Sequence, residues 1–213
     1  MVPDSLENVL RVRNKYAHFA HTLHVDVCDG VFAPNRTWFP SPDEKLPNLD
    51  STHYEIHLMV SDPKTVGLAF AKAGASTLLG HVEAIESPEA GHEIIGSWRS
   101  AGVKRIGIAS LLQTPLEKLD PYIVASDTIL LMTIASIGTQ GIPYDERGAK
   151  RVEELHKKYP DLAIEVDGGV SHRNIRDLAK AGARRFCVGS ALSRSEDPQL
   201  DYAKLKASAQ AVV

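Results

Sequence analysis

The sequence predicts an α/β protein, a (β/α)₈ TIM barrel formed by residues 1–213 as one domain. Three observations lead there. A chain of 213 residues that is 43% hydrophobic has the size and apolar content of one α/β domain with an ample core. From residue 5 onward, amphipathic stretches alternate with short β-branched runs, which favours βα units around a parallel sheet over separate α and β blocks. Finally, the side chains best suited to chemistry fall at the C-terminal ends of those runs, where barrels carry their sites. A period of about 25 residues would also fit a solenoid, but no repeated side-chain signature accompanies it.

Taken in order, the strand candidates are residues 23–27, 54–60, 77–82, 105–109, 128–134, 163–166 and 185–188. Amphipathic helices are expected over 6–17, 63–73, 87–101, 145–159, 174–181 and 197–209, several ending in Ala-Gly, where the glycine can take the left-handed C-cap conformation. Seven strands leave one place of the ring unfilled. The opening Met1-Val-Pro-Asp runs almost directly into the first helix, so the first strand is expected to be missing or truncated. A barrel so opened would expose the edges of the strands beside the gap.

The formal charge of −3 and the mixing of basic with acidic residues, as over 147–158, argue against a nucleic-acid partner. No run of about 20 apolar residues could span a bilayer, and Asp4 and Glu7 interrupt any signal-like start. No membrane partner and a cytoplasmic location are therefore expected. Cys28 and Cys187 read as two buried thiols rather than a disulfide.

The most informative stretch is Leu23-His-Val-Asp-Val-Cys-Asp-Gly-Val-Phe-Ala-Pro-Asn35. Residues two apart on a strand share a face, so His24 and Asp26 emerge side by side from an apolar run. His57 and Asp167, each near the end of another apolar run, could complete a cation site. Two imidazoles and two carboxylates suit one divalent ion, Zn²⁺, Fe²⁺, Mn²⁺ or Co²⁺, without choosing among them. A lone buried histidine is more often a hydrogen-bonded core residue than a ligand, and His81, Glu83, Glu55 and Glu165 read as supporting or barrel-filling polar groups.

Late in the chain come three glycine turns, Gly138-Thr-Gln140-Gly141, Gly168-Gly169 and Gly189-Ser190, which follow the sixth, seventh and eighth places of the ring. Glycine lets backbone N–H groups approach an anion, and barrels often bind phosphate after their last two strands, so a phosphorylated small molecule is expected.

These motifs together resemble the ribulose-phosphate 3-epimerase family. The likeness lies in His-x-Asp-x-x-Asp-Gly-x-Phe-x-Pro-Asn-x-Thr at 24–37, His-Leu-Met at 57–59 and His-Val-Glu-Ala at 81–84. It continues in Met132-Thr133, Val-Asp-Gly-Gly at 166–169 and Val-Gly-Ser-Ala at 188–191. The resemblance implies a barrel of the ribulose-phosphate-binding type with His24, Asp26, His57 and Asp167 as metal ligands. It implies that Asp26 and Asp167 double as the acid/base pair, that Met59 and Met132 line the substrate pocket, and that Cys28 replaces a third methionine there. The implied function is a metal-dependent, homo-oligomeric 3-epimerase of the pentose phosphate pathway. It would interconvert D-ribulose 5-phosphate and D-xylulose 5-phosphate by two-aspartate proton transfer through an enediolate. A six-carbon ketose phosphate such as allulose 6-phosphate, or a non-catalytic phosphosugar-binding barrel, are the alternatives. Two departures stand out: the family's serine-bearing first strand is not found, and Ala135-Ser136-Ile137 precedes Gly138 where a Pro-Gly pair is usual.

Overall fold

A computed structural model describes residues 1–47, 52–139 and 141–212. Seven strands run in chain order through one sheet, every neighbouring pair parallel. They are β1 (Thr22–Cys28), β2 (His53–Met59), β3 (Thr77–His81), β4 (Arg105–Ser110), β5 (Thr128–Met132), β6 (Ile164–Asp167) and β7 (Arg185–Cys187). Each expected strand is present, with ends shifted by a residue or two. The largest shift has a cause: Ile134, expected to continue β5, instead forms an isolated antiparallel bridge with Tyr144.

The helices are α1 (Leu6–Tyr16), α2 (Pro63–Ala73), α3 (Pro88–Ser100), α4 (Arg147–Lys158), α5 (Ile175–Ala181), a single turn α6 (Ser190–Ser193) and α7 (Pro198–Gln210). Starts and stops are written locally. Ser5, Asp62, Ser87 and Asp197 each accept a hydrogen bond from the backbone N–H three residues on. Pro63, Pro88 and Pro198 then occupy first-turn positions whose N–H would lack a partner in any case. Gly74 and Gly182, with φ of 104° and 118°, end α2 and α5 in the left-handed conformation that the Ala-Gly pairs foretold. No described helix is long and apolar enough to cross a membrane.

Strand alternation divides the core in two. Val25, Val27, Ile56, Leu58, Leu78, Ile106, Ile108, Ile129, Leu131, Ile164 and Val166 belong to one continuous apolar layer shared with the helices. The alternate positions turn inward, where parallel register sets His24 beside Glu55 and Asp26 beside His57, and likewise Leu130 beside Glu165 and Met132 beside Asp167. Between α2, α3 and β3 lies the fully buried Trp98, admitted by two glycines. A Cβ at Gly67 would fall 2.3 Å from its Nε1, and one at Gly80 would fall 2.8 Å from its ring.

Among the described residues no strand joins β7 to β1, as the count of seven implied. Met1 lies along that edge of β1: its amino nitrogen donates to His24 O at 2.7 Å, and Asp26 N–H donates to Met1 O at 2.7 Å. Inside the seam, Arg185 of β7 donates to Glu165 at 2.9 Å and to Glu55, a residue of β2 on the far side of the gap.

Candidate functional site

The inward positions of β1, β2 and β6 bring four side chains together at the C-terminal end of the sheet. One ligand atom from each of His24, Asp26, His57 and Asp167 lies within 4.8 Å of every other. Alternation supplies the pairing His24 with Asp26, and the β1–β2 register then places His57 next to Asp26. His57 Nδ1 lies 3.1 Å from Asp26 Oδ1 and 3.6 Å from Asp167 Oδ2. His24 Nε2 lies 3.4 Å and 3.8 Å from the same two carboxylates. The aspartates come from strands on either side of the seam, and their oxygens converge on the two imidazoles.

The protonation pattern on His24 follows from its other nitrogen. Nδ1 sits 3.0 Å from Glu55 Oε1, and an ionised carboxylate only accepts, so Nδ1 carries a proton and, in the neutral ring, Nε2 bears the lone pair. That Nε2 is buried and has no hydrogen-bond partner. A buried orphan nitrogen facing two carboxylates and a second imidazole is a donor set that fits a divalent cation.

Between themselves the four groups favour charge on the imidazoles, protons that a bound cation would displace. Burial opposes charge on Asp26, but the terminal amino group 3.3 Å away, His24 and His57 outweigh it and hold the carboxyl well below its usual range. Burial likewise works against charge on His24 and His57. Cys187, Asp26 and Glu55 still raise His24, and Asp167 and Asp26 raise His57. Beneath the quartet, burial pushes Glu165 up to about 7, helped by Glu55 beside it. Glu55 resists burial through His24, Glu165 and Arg185 and falls to about 2. Behind His57 lies His81, fully buried, and burial lowers its imidazole to about 4.

A cavity of about 730 Å³ opens over this floor. His24, Asp26 and Asp167 line it with Met59 and Met132, whereas His57 is wholly enclosed behind them. The glycine turns surround the same space: Gly138, Gly141, Gly168, Gly169, Gly189 and Ser190 all line it. Gln140 lies outside the described residues. Gly169, at φ +65°, also has a packing reason to be glycine, because a Cβ there would meet Tyr144 N at 2.7 Å. Asn35, from the loop after β1, donates to Gly138 O at 2.5 Å and so ties the first motif to the glycine turn after β5.

Cys28 is placed differently from the expectation of a pocket residue. It is fully buried and packs with Ala33 and Met59 beneath the cavity wall. The cysteine at the site is Cys187, whose Sγ lies 3.2 Å from His24 Nδ1 and 3.2 Å from Glu165 Oε1. Sequence reasoning also passed over Arg185. The signal was available: an arginine at the start of an inward-facing run, two residues before Cys187, needs carboxylates inside the barrel, and Glu55 and Glu165 already stood there.

Comparison with known proteins places the chain in a family. The profile of the ribulose-phosphate 3 epimerase family matches residues 5–193. Ribulose-phosphate 3-epimerase of Schizosaccharomyces pombe is 36% identical over 180 residues, 83% of this chain and 77% of that protein. The Bacillus subtilis protein of the same name is 33% identical over 195 residues, 89% of this chain and 87% of that one. Among solved structures, 3-hexulose-6-phosphate synthase from Salmonella typhimurium superposes with a TM-score of 0.71, covering 98% of this chain and 95% of that one. At 16% identity that likeness speaks for the fold alone.

Proposed function

The chain belongs to the ribulose-phosphate 3-epimerase family, and on that premise we propose that it interconverts D-ribulose 5-phosphate and D-xylulose 5-phosphate with the help of one divalent metal ion. The observation that carries this reading is the convergence of His24 Nε2, His57 Nδ1, Asp26 and Asp167 within 4.8 Å on the floor of a large cavity.

Epimerisation beside a ketone removes a proton from one face of the carbon and returns one to the other. Two acid/base groups are therefore required, and Asp26 and Asp167 are the carboxylates that reach the cavity floor from the two flanks of the seam. In one direction Asp26 takes the proton from the carbon. Asp167 then returns a proton to the opposite face, and the reverse reaction exchanges the roles. The enediolate formed between these transfers carries charge on two adjacent oxygens. Proton transfer by a positioned carboxylate contributes typically about 10²–10⁴-fold to the rate. A divalent ion held by His24, His57, Asp26 and Asp167 would act as a Lewis acid, offsetting negative charge on substrate oxygens by several kcal/mol.

The methionines and glycine turns complete the pocket. Met59 and Met132, which line the cavity, would flank the sugar with polarizable thioethers and keep water from it. The turns at Gly138, Gly141, Gly168, Gly169, Gly189 and Ser190 would present backbone N–H groups to the phosphate.

The test is wash-in of solvent deuterium at the epimerised carbon with both ketose phosphates, alongside the metal content of the purified protein. Exchange into D-ribulose 5-phosphate that depends on a bound divalent ion is expected. Preference for allulose 6-phosphate would reassign the substrate, and exchange into neither would leave a binding barrel.

A further inference from the structure

The arrangement behind His57 has a direction. Glu83, in a short 3₁₀ turn after β3 (Val82–Ala84), uses both carboxylate oxygens as acceptors. Oε1 takes the Leu111 N–H at 2.8 Å and the Thr114 hydroxyl, and Oε2 faces His81 Nδ1 at 3.0 Å. His81 Nδ1 must therefore carry a proton. In a neutral imidazole that makes Nε2 the acceptor. His81 Nε2 lies 2.8 Å from His57 Nε2, with the ring planes 24° apart, and two facing nitrogens hydrogen-bond only if one carries a proton. The proton belongs to His57 Nε2. With a cation between Asp26 and Asp167 in place of a proton, His57 Nδ1, 3.1 Å and 3.6 Å from their oxygens, then has its lone pair to offer.

We propose that Glu83 is a positioning residue which, acting through His81, fixes the tautomer of His57 so that Nδ1 is the nitrogen offered to the metal. This rests on reading His57 as a ligand. A space-filling role for His81 would need neither facing nitrogens nor a carboxylate with every oxygen committed. Its inward neighbours in register, Leu79 on its own strand and Ala109 on β4, show that apolar side chains suffice to fill this layer. The arrangement also answers His24 from the opposite side. There Glu55 holds Nδ1 and frees Nε2, so the two imidazoles offer different nitrogens to one point.

Glu83→Gln tests the direction of the chain. An amide has one oxygen, so if it accepts from Leu111 N–H and Thr114, its NH₂ faces His81 Nδ1. His81 then moves its proton to Nε2, and His57 must place its own on Nδ1, where the metal would bind. We expect the dissociation constant for Co²⁺ or Zn²⁺ to rise by about 10–100-fold, the range seen when the outer partner of a ligating histidine is lost. Nitrogen-15 spectra of histidine-labelled protein give a second reading that needs no variant: the unmodified chain should carry its His81 proton on Nδ1 and, when zinc-loaded, its His57 proton on Nε2. An unchanged metal dissociation constant in Glu83→Gln, or the reverse tautomer at His81 in the unmodified chain, overturns the proposal. A merely structural Glu83 would lower the melting temperature and leave both readings where they are. If the unmodified chain epimerises neither ketose phosphate, the proposed activity falls, while the metal and tautomer measurements still decide this inference.

Discussion

Two halves of the barrel interior obey the same strand alternation and reach opposite chemistry. On β3, β4 and β5 the inward side chains include Leu79, Ala109, Leu130 and Met132, a dry cluster that closes around Gly107. On β1, β2, β6 and β7 they include His24, Asp26, Glu55, His57, Glu165, Asp167 and Arg185. The first half is stabilised largely by apolar contact, with His81 at the end of β3 as its hydrogen-bonded exception. The second holds charges that would be costly to bury singly, and it places them against one another along the seam between β7 and β1. Of the polar side-chain atoms in that charged half, His24 Nε2 is the one found both buried and unpartnered among the described residues, a donor that fits a cation.

The hardest blow to the charged half is also the most local. Asp26→Asn or Asp167→Asn should lower kcat by at least about 10²–10⁴-fold, since an amide neither takes the carbon-bound proton nor returns one. Deuterium exchange in the metal-loaded variants is the measurement, and near-native turnover in either would remove that residue from the acid/base pair. Arg185→Met should come next. It leaves Glu55 and Glu165, each 2% exposed, without their cation, at a cost of about 3–5 kcal/mol readable by urea denaturation. A loss below about 1 kcal/mol would mean that the seam is not held by charge.

The dry half should respond to volume alone. A Cβ at Gly107 would lie 2.6 Å from both Leu79 Cδ2 and Thr128 Cγ2, so Gly107→Ala should cost about 1–3 kcal/mol and leave metal affinity unaltered. Loss of metal binding in that variant would show that the halves are coupled.

The gentlest test is pH. Glu165, raised from 4.5 to about 7, binds a proton in the folded chain that the unfolded chain has released, so its contribution is complete below pH 4.5 and is lost as pH rises to about 7. Glu55, lowered from 4.5 to about 2, contributes above pH 4.5 and loses that contribution as pH falls to about 2. The melting temperature should therefore carry a component that peaks near pH 4.5. Glu165→Gln should flatten its alkaline side, and an unaltered profile would show that Glu165 does not titrate there.

The sequence displays the face of a residue more readily than its neighbour. Alternation and caps are short-range, so the strands, the helix ends and the inward setting of His24, Asp26, His57 and Asp167 can be read within a few residues of each position. The link from Arg185 to Glu55 joins residues 130 apart in the chain. No local pattern reports it, because it depends on where the ring is left open. Cys28 and Cys187 make the same point. Both read as buried strand thiols, yet one packs under a wall with Ala33 and the other touches the ring of His24. Gly169 reads as a phosphate turn, whereas its closeness to the Tyr144 backbone, 25 residues earlier in the chain, appears only in the fold.

The indole between α2 and α3 gives the protein an optical reporter. Of its two tryptophans, Trp98 is fully enclosed by Gly67 and Gly80, and its Nε1 has no hydrogen-bond partner. Its fluorescence should lie at the blue end of the tryptophan range while the helices stay packed on β3. Trp38 is only partly buried, standing edge-on to Phe70 in the loop after β1. Its emission should lie further to the red. Replacing Trp38 with phenylalanine would leave a single chromophore whose shift on heating or in urea follows the outer helical layer, so that loosening there can be timed apart from events at the charged floor of the barrel.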